Sequence, residues 1–121
     1  LQNDELDELN GVVPRTRLLV WDVTDLDDPV LATEHLGPTE ASDHNLYVAG
    51  DLAWYSNYTY GVRMLDVRDP RNPREVGFFD THPGSDRAGF DGSWSNYPFF
   101  GNGVVAVSSS RDGLFLLQQG R

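Results

Sequence analysis

The chain has 121 residues, a length that suits one domain with a hydrophobic core. Its net charge of −10, from 19 acidic and 9 basic residues, predicts that neither nucleic acid nor an anionic lipid surface is a partner. The absence of cysteine excludes disulfides and thiolate chemistry, and no apolar run approaches the roughly 20 residues that would predict membrane insertion of this segment.

The chain opens with an acidic turn that contains Asp4, Glu5, Asp7 and Glu8. Carboxylate oxygens this close together suit a hard cation, so these four residues are candidate Ca²⁺ ligands. Their spacing is not that of an EF-hand loop, and the alternative interpretation is a solvated acidic loop.

A strand followed by an Asp/Pro turn occurs twice, at residues 17–29 and 60–73. Both copies contain Asp-Val-x-Asp-x-x-x-Pro, at an offset of 44 residues (66 minus 22, 73 minus 29). Asp side chains accept backbone N–H groups in tight turns and Pro ends a strand ladder, so these Asp residues are predicted to be structural. A period of this length, carried by strands, is typical of four-stranded β-propeller blades.

Alternating apolar residues and Gly- or Asp-containing turns predict nine strands. They cover residues 17–23, 30–36, 44–49, 52–57, 62–67, 74–80, 92–99, 104–109 and 114–118. The predicted fold is all-β, with about two and a half four-stranded antiparallel blades of an incomplete β-propeller. Residues 1–36 form the end of one blade, 44–80 a complete blade, and 92–118 a last blade that lacks its outer strand.

Four motifs carry a family resemblance. They are Leu-Val-Trp-Asp-Val-Thr-Asp-Leu-Asp-Asp-Pro-Val (19–30), Asp-His-Asn-Leu-Tyr-Val (43–48), Tyr-Gly-Val-Arg-Met-Leu-Asp-Val-Arg-Asp-Pro (60–70) and Gly-Ser-Trp-Ser-Asn-Tyr-Pro-Phe (92–99). Together they resemble the LVIVD-repeat propellers of the choice-of-anchor B family, in their C-terminal portion. The resemblance implies an extracellular or cell-surface bacterial protein and no catalytic residue. Four blades of this period need about 176 residues, so the remaining propeller blades are expected to come from the same or another chain.

The predicted blade order places several polar residues on one face, together with the acidic turn. The candidate ligand-binding residues are Asp43, His44, Asn45, Asn57 and Tyr58 of this face, and Trp94 of the predicted strand 92–99. His44 begins an inner strand, where it could hold a metal or small ligand, or hydrogen-bond a neighbouring blade. Trp94 is either a sugar platform or part of the packing between blades.

Three functional hypotheses follow. The leading one is a non-enzymatic extracellular or cell-surface module for binding or scaffolding, which presents an acidic face to a protein or glycan partner, with Ca²⁺ as its candidate cofactor. The second is an enzyme or enzyme subunit with a site near His44, in which Asp43 or the acidic turn acts as general base. The third is a structural subunit of a larger assembly or filament.

Overall fold

The computed structural model describes residues 1–118 and residue 120, and in that part of the chain nine strands accompany one short helix. The elements are α1 (Leu6–Leu9), β1 (Arg17–Asp22), β2 (Val30–Leu36), β3 (Asn45–Ala49), β4 (Leu52–Ser56), β5 (Val62–Asp66), β6 (Arg74–Phe79), β7 (Ser93–Tyr97), β8 (Val104–Ser109) and β9 (Gly113–Gln118). The short helix lies in the acidic turn, where the sequence predicted only a turn or loop. Within the described residues, no helix has the length and apolar character needed to cross a membrane.

The strands form three antiparallel sheets that follow the order of the chain. The first sheet pairs β1 with β2, the second has the order β3-β4-β5-β6, and the third has the order β7-β8-β9. This confirms the all-β prediction. All nine predicted strands are present, and their ends differ from the predicted ends by at most two residues.

The internal repeat extends to the details of the backbone. The register between β1 and β2 shifts at Val20/Trp21, and the register between β5 and β6 shifts at Met64/Leu65, which is again an offset of 44 (64 minus 20, 65 minus 21). In both turns that follow, Asp side chains accept the backbone N–H two residues ahead. These pairs are Asp22 with Thr24, Asp25 with Asp27, Asp66 with Arg68, and Asp69 with Arg71. The four Asp residues therefore have the structural role that their turn motif predicts.

The middle sheet has one hydrophobic cluster on each side. Leu18 of β1 packs with Ala53, Tyr55 and Leu65 of the middle sheet. A second cluster joins the middle sheet to β8, and its buried members are Trp54, Val62, Val105 and Val107. The three sheets are thus stacked in chain order, because side chains alternate across the pleat and the middle sheet buries both of its faces.

Candidate functional site

Hydrogen bonds between loops connect the three sheets near the starts of β3 and β7. The backbone N–H of Asp4 donates to Asp43 Oδ1 (3.1 Å), which ties the N-terminal segment to the loop before β3. Tyr58 and Ser93 exchange two backbone hydrogen bonds of 2.9 Å, which tie the β4–β5 turn to the start of β7. The polar residues predicted to share one face are therefore drawn together by direct contacts.

Arg17 holds the acidic segment, which we define as residues 3–9, against the first sheet. Its guanidinium donates to Asp4 Oδ2 (2.6 Å from Nε) and to Asp7 Oδ2 (3.0 Å from a terminal nitrogen). Its backbone N–H donates to Glu8 Oε1 (3.1 Å). One residue of β1 thus contacts three carboxylates of the segment.

Asp4, Glu8 and Asp43 form what we call the carboxylate cluster. One carboxylate oxygen from each residue lies within 4.8 Å of the other two. Asp43 is fully buried and accepts a hydrogen bond from the Tyr55 hydroxyl, while the whole Glu8 residue is only 6% exposed. Asp4 Oδ1 and Glu8 Oε2 are buried and have no hydrogen-bond partner among residues 1–118 and 120. Burying carboxylate oxygens without partners costs free energy, so the cluster is suited to a group that would satisfy them.

The carboxylate cluster shifts the pKa values of its own members. Burial, with the nearby charge of Asp43, raises the pKa of Glu8 from 4.5 to about 8. Burial also raises the pKa of Asp43 from 3.8 to about 6, although the hydrogen bond from Tyr55 opposes this shift. The same surroundings raise the pKa of the Tyr55 hydroxyl, so it remains a hydrogen-bond donor at neutral pH. Near neutral pH the Glu8 carboxyl therefore keeps a proton that a bound cation would displace.

Beside the carboxylate cluster lies a row of four rings, which we call the ring cluster: His44, Tyr58, Phe90 and Trp94. His44 stacks on Trp94, with ring centroids 4.9 Å apart. Tyr58 makes T-shaped contacts with both His44 and Phe90, with ring centroids 5.5 and 5.3 Å apart. The Tyr58 hydroxyl donates to Glu5 Oε1, and this same oxygen lies 3.8 Å from His44 Nε2. Glu5 therefore links the acidic segment to the ring cluster.

The backbone beneath the ring cluster is constrained at two points. Tyr58 has a φ of 35°, a left-handed conformation that is uncommon for a residue with a side chain. The register of β7 against β8 shifts between Ser93 and Ser95, which makes Trp94 the extra residue of a β-bulge. The conformations of both residues are held by the Tyr58–Ser93 pairing.

Gly92 makes the pairing of Tyr58 with Ser93 possible. We therefore expect Gly92→Ala to destabilise the protein by roughly 2–3 kcal/mol. A Cβ atom at this position would lie 2.3 Å from the carbonyl oxygen of Tyr58, and the φ of Gly92 is +90°. Urea unfolding of the variant measures the loss. Gly101→Ala is a matched control, because Gly101 also has a positive φ (+74°) but no atom within 4 Å of an added Cβ. Equal losses in the two variants would show that the contact with Tyr58 does not matter.

The four predicted metal ligands do not form one group in the structure. Asp4 and Glu8 lie together with Asp43, which the sequence placed in the ligand-binding set. Asp7 contacts Arg17, and Glu5 contacts Tyr58. The predicted four-residue set is therefore split among three sets of partners.

The predicted ligand-binding residues are also divided. His44, Tyr58 and Trp94 are in direct contact. The Asn45 side chain donates to Ser95 Oγ (2.8 Å), and Asn57 is buried within the β4–β5 turn, where its backbone N–H donates to the carbonyl oxygen of Gly61. Sequence reasoning missed Arg17, Tyr55 and Phe90. Tyr55 was detectable in part, because its alternation within β4 predicts an inward side chain.

The resemblance to LVIVD-repeat propellers is carried by motifs of this sequence. Comparisons with protein-family models, with curated proteins and with solved structures found no match to this chain. The fold and the site are therefore characterised by their own geometry.

Proposed function

We propose that this chain is part of a β-propeller of the LVIVD-repeat, choice-of-anchor B type. The proposal is supported by the sheets of two, four and three strands, by their stacking in chain order, and by the 44-residue repeat of turns and bulges. In this arrangement each sheet is a blade or part of one, and further blades from the same or another chain complete the ring.

The function that the geometry supports best is that of a non-enzymatic, extracellular or cell-surface binding module that uses Ca²⁺. The carboxylate cluster carries this proposal. Asp4 Oδ1 and Glu8 Oε2 are buried without partners in the described part of the chain, and both belong to carboxylates that converge with Asp43. Ca²⁺ takes six to eight oxygen ligands in a flexible geometry, so three carboxylates together with water fit its preferences. Arg17 occupies Asp4 Oδ2 and leaves Oδ1 for the ion.

A bound ion would also organise the neighbouring surface. Asp43 precedes His44 in the chain, and Asp4 precedes Glu5, so the carboxylate cluster and the ring cluster share two stretches of backbone. A cation that joins Asp4 to Asp43 fixes Glu5 beside His44 and Tyr58. The proposed role of Ca²⁺ is therefore to order the binding face.

Calorimetric titration of the metal-free protein with CaCl₂ tests this proposal. We expect one binding event per chain, weakened at least about tenfold by Glu8→Gln and by Asp43→Asn, because each variant removes a charged ligand from the ion. Asp7→Asn is the matched control, since Asp7 lies on the same helix as Glu8 but contacts Arg17.

Absence of binding heat, with no shift of the thermal midpoint on adding Ca²⁺, would overturn the proposed Ca²⁺ site. An Asp7→Asn variant as weak as Glu8→Gln would instead indicate that the ion binds the acidic turn and not the carboxylate cluster.

The catalytic alternative has less support. Asp43 is fully buried and its carboxylate faces Tyr55, so it does not serve as a general base beside His44. The carboxylate near His44 belongs to Glu5, which accepts the Tyr58 hydroxyl.

A further inference from the structure

Trp94 presents a large aromatic surface to solvent at the position of a β-bulge. The residue is 50% exposed, and the residue before it, Ser93, is fully buried. The indole lies at a bulge of β7, and His44 stacks against it with an angle of 28° between the rings. Because bulges often direct a side chain at a functional site, the indole at this bulge is a candidate ligand contact.

The indole is also held in place before any ligand arrives. The Trp94 ring rests on His44, which contacts Tyr58, and the Tyr58 hydroxyl is bound to Glu5. The backbone of Tyr58 is paired with Ser93, the residue before Trp94. A rigid aromatic surface loses little conformational entropy when a ligand stacks on it.

A carboxylate lies beside the stacked rings. The partly exposed Glu5 carboxylate is next to His44, which stacks on Trp94. At the Phe90 end of the ring cluster, the following residue, Asp91, forms an exposed ion pair with Arg111 at 3.2 Å. A ligand that stacks on Trp94 thus lies near the Glu5 acceptor, and the carboxylates of this face disfavour an anion.

From this arrangement we propose that Trp94 is the stacking platform of a carbohydrate-binding subsite, which takes a neutral pyranose unit of a glycan. A pyranose has a flat C–H face that packs against the negative face of an aromatic ring, and a rim of hydroxyls that bind carboxylate and guanidinium groups. The inference rests on the proposed binding function of this face, and it names the class of ligand.

The test uses the full protein on a microarray of neutral oligosaccharides built from glucose, galactose, mannose, xylose or N-acetylglucosamine units. A glycan that binds is then titrated by saturation-transfer NMR, with CaCl₂ and separately with EDTA. We expect Trp94→Ala to weaken binding at least about tenfold, and Trp94→Phe to retain part of it because a flat ring remains. Phe100→Ala is the control, because Phe100 is similarly exposed (54%) but contacts Tyr97 and not the ring cluster.

Failure of every neutral glycan to bind, or equal affinity in wild type and Trp94→Ala, would overturn the subsite. Binding only of peptides or of anionic glycans would overturn it too. Glycan binding that persists in EDTA supports the subsite even if the calorimetric titration shows no Ca²⁺ site. A Ca²⁺ site without glycan binding rejects this inference alone.

Discussion

The metal-free protein should be more stable at about pH 5 than at about pH 8.5, by roughly 3–5 kcal/mol. The folded state raises the pKa of Glu8 from 4.5 to about 8 and that of Asp43 from 3.8 to about 6. Between each pair of values the folded protein holds a proton that the unfolded chain has released. The contribution of these two groups is therefore highest below the unfolded pKa values and is lost as the pH rises through the folded ones. Burial lowers the pKa of His35, which opposes this trend without cancelling the larger effect of Glu8.

Urea unfolding in EDTA at the two pH values measures this difference. Glu8→Gln should remove most of it, because the amide is neutral throughout the range. Glu40→Gln is the matched control, since Glu40 is an exposed loop residue. A protein that gains stability with rising pH across this range, or a Glu8→Gln variant with the wild-type pH dependence, would contradict the burial of Glu8 described here.

Leu18→Ala should destabilise the protein by about 2–5 kcal/mol, the range for truncating a buried leucine in a core. Leu18 is fully buried and joins β1 to Ala53, Tyr55 and Leu65 of the middle sheet. The loss combines the transfer free energy of the removed methyl groups with the cost of the cavity between two sheets.

The same unfolding measurement on Leu26→Ala supplies the control, because Leu26 is 81% exposed in the turn after β1. That change should alter stability by no more than about 0.5 kcal/mol. If the two variants are equally stable, the first and middle sheets do not stack through Leu18.

The strands could be predicted from the sequence because their signals are local. Alternating apolar residues fix which side of a strand is buried, and Gly50-Asp51 or Asn102-Gly103 marks a reversal within a few residues. The repeated Asp/Pro turns could be predicted for the same reason, since each Asp binds a backbone N–H only two residues away. The number of strands in each sheet follows from these signals.

The candidate site depends on contacts between distant residues, and these were only partly predictable. Asp4 and Asp43 are 39 residues apart in the chain, and Tyr58 and Glu5 are 53 residues apart. A run of acidic residues predicts exposure by default, and no local pattern identifies Glu8 as the one that is buried. The grouping of His44 with Tyr58 could be predicted, because the blade order placed both residues on one face. The stacking of His44 on Trp94 was not predicted.

Arg17 is an anchor that the carboxylate cluster and the ring cluster share. Its guanidinium and its backbone N–H fasten the acidic segment through Asp4, Asp7 and Glu8, and that segment also carries Glu5 to the ring cluster. Without this one side chain, Asp4 and Asp7 would lose their shared cation, while the backbone bonds from Arg17 to Glu8 and from Asp4 to Asp43 would remain. The acidic segment would be held more weakly, so the carboxylate cluster and the Glu5 contact with Tyr58 would lose order together.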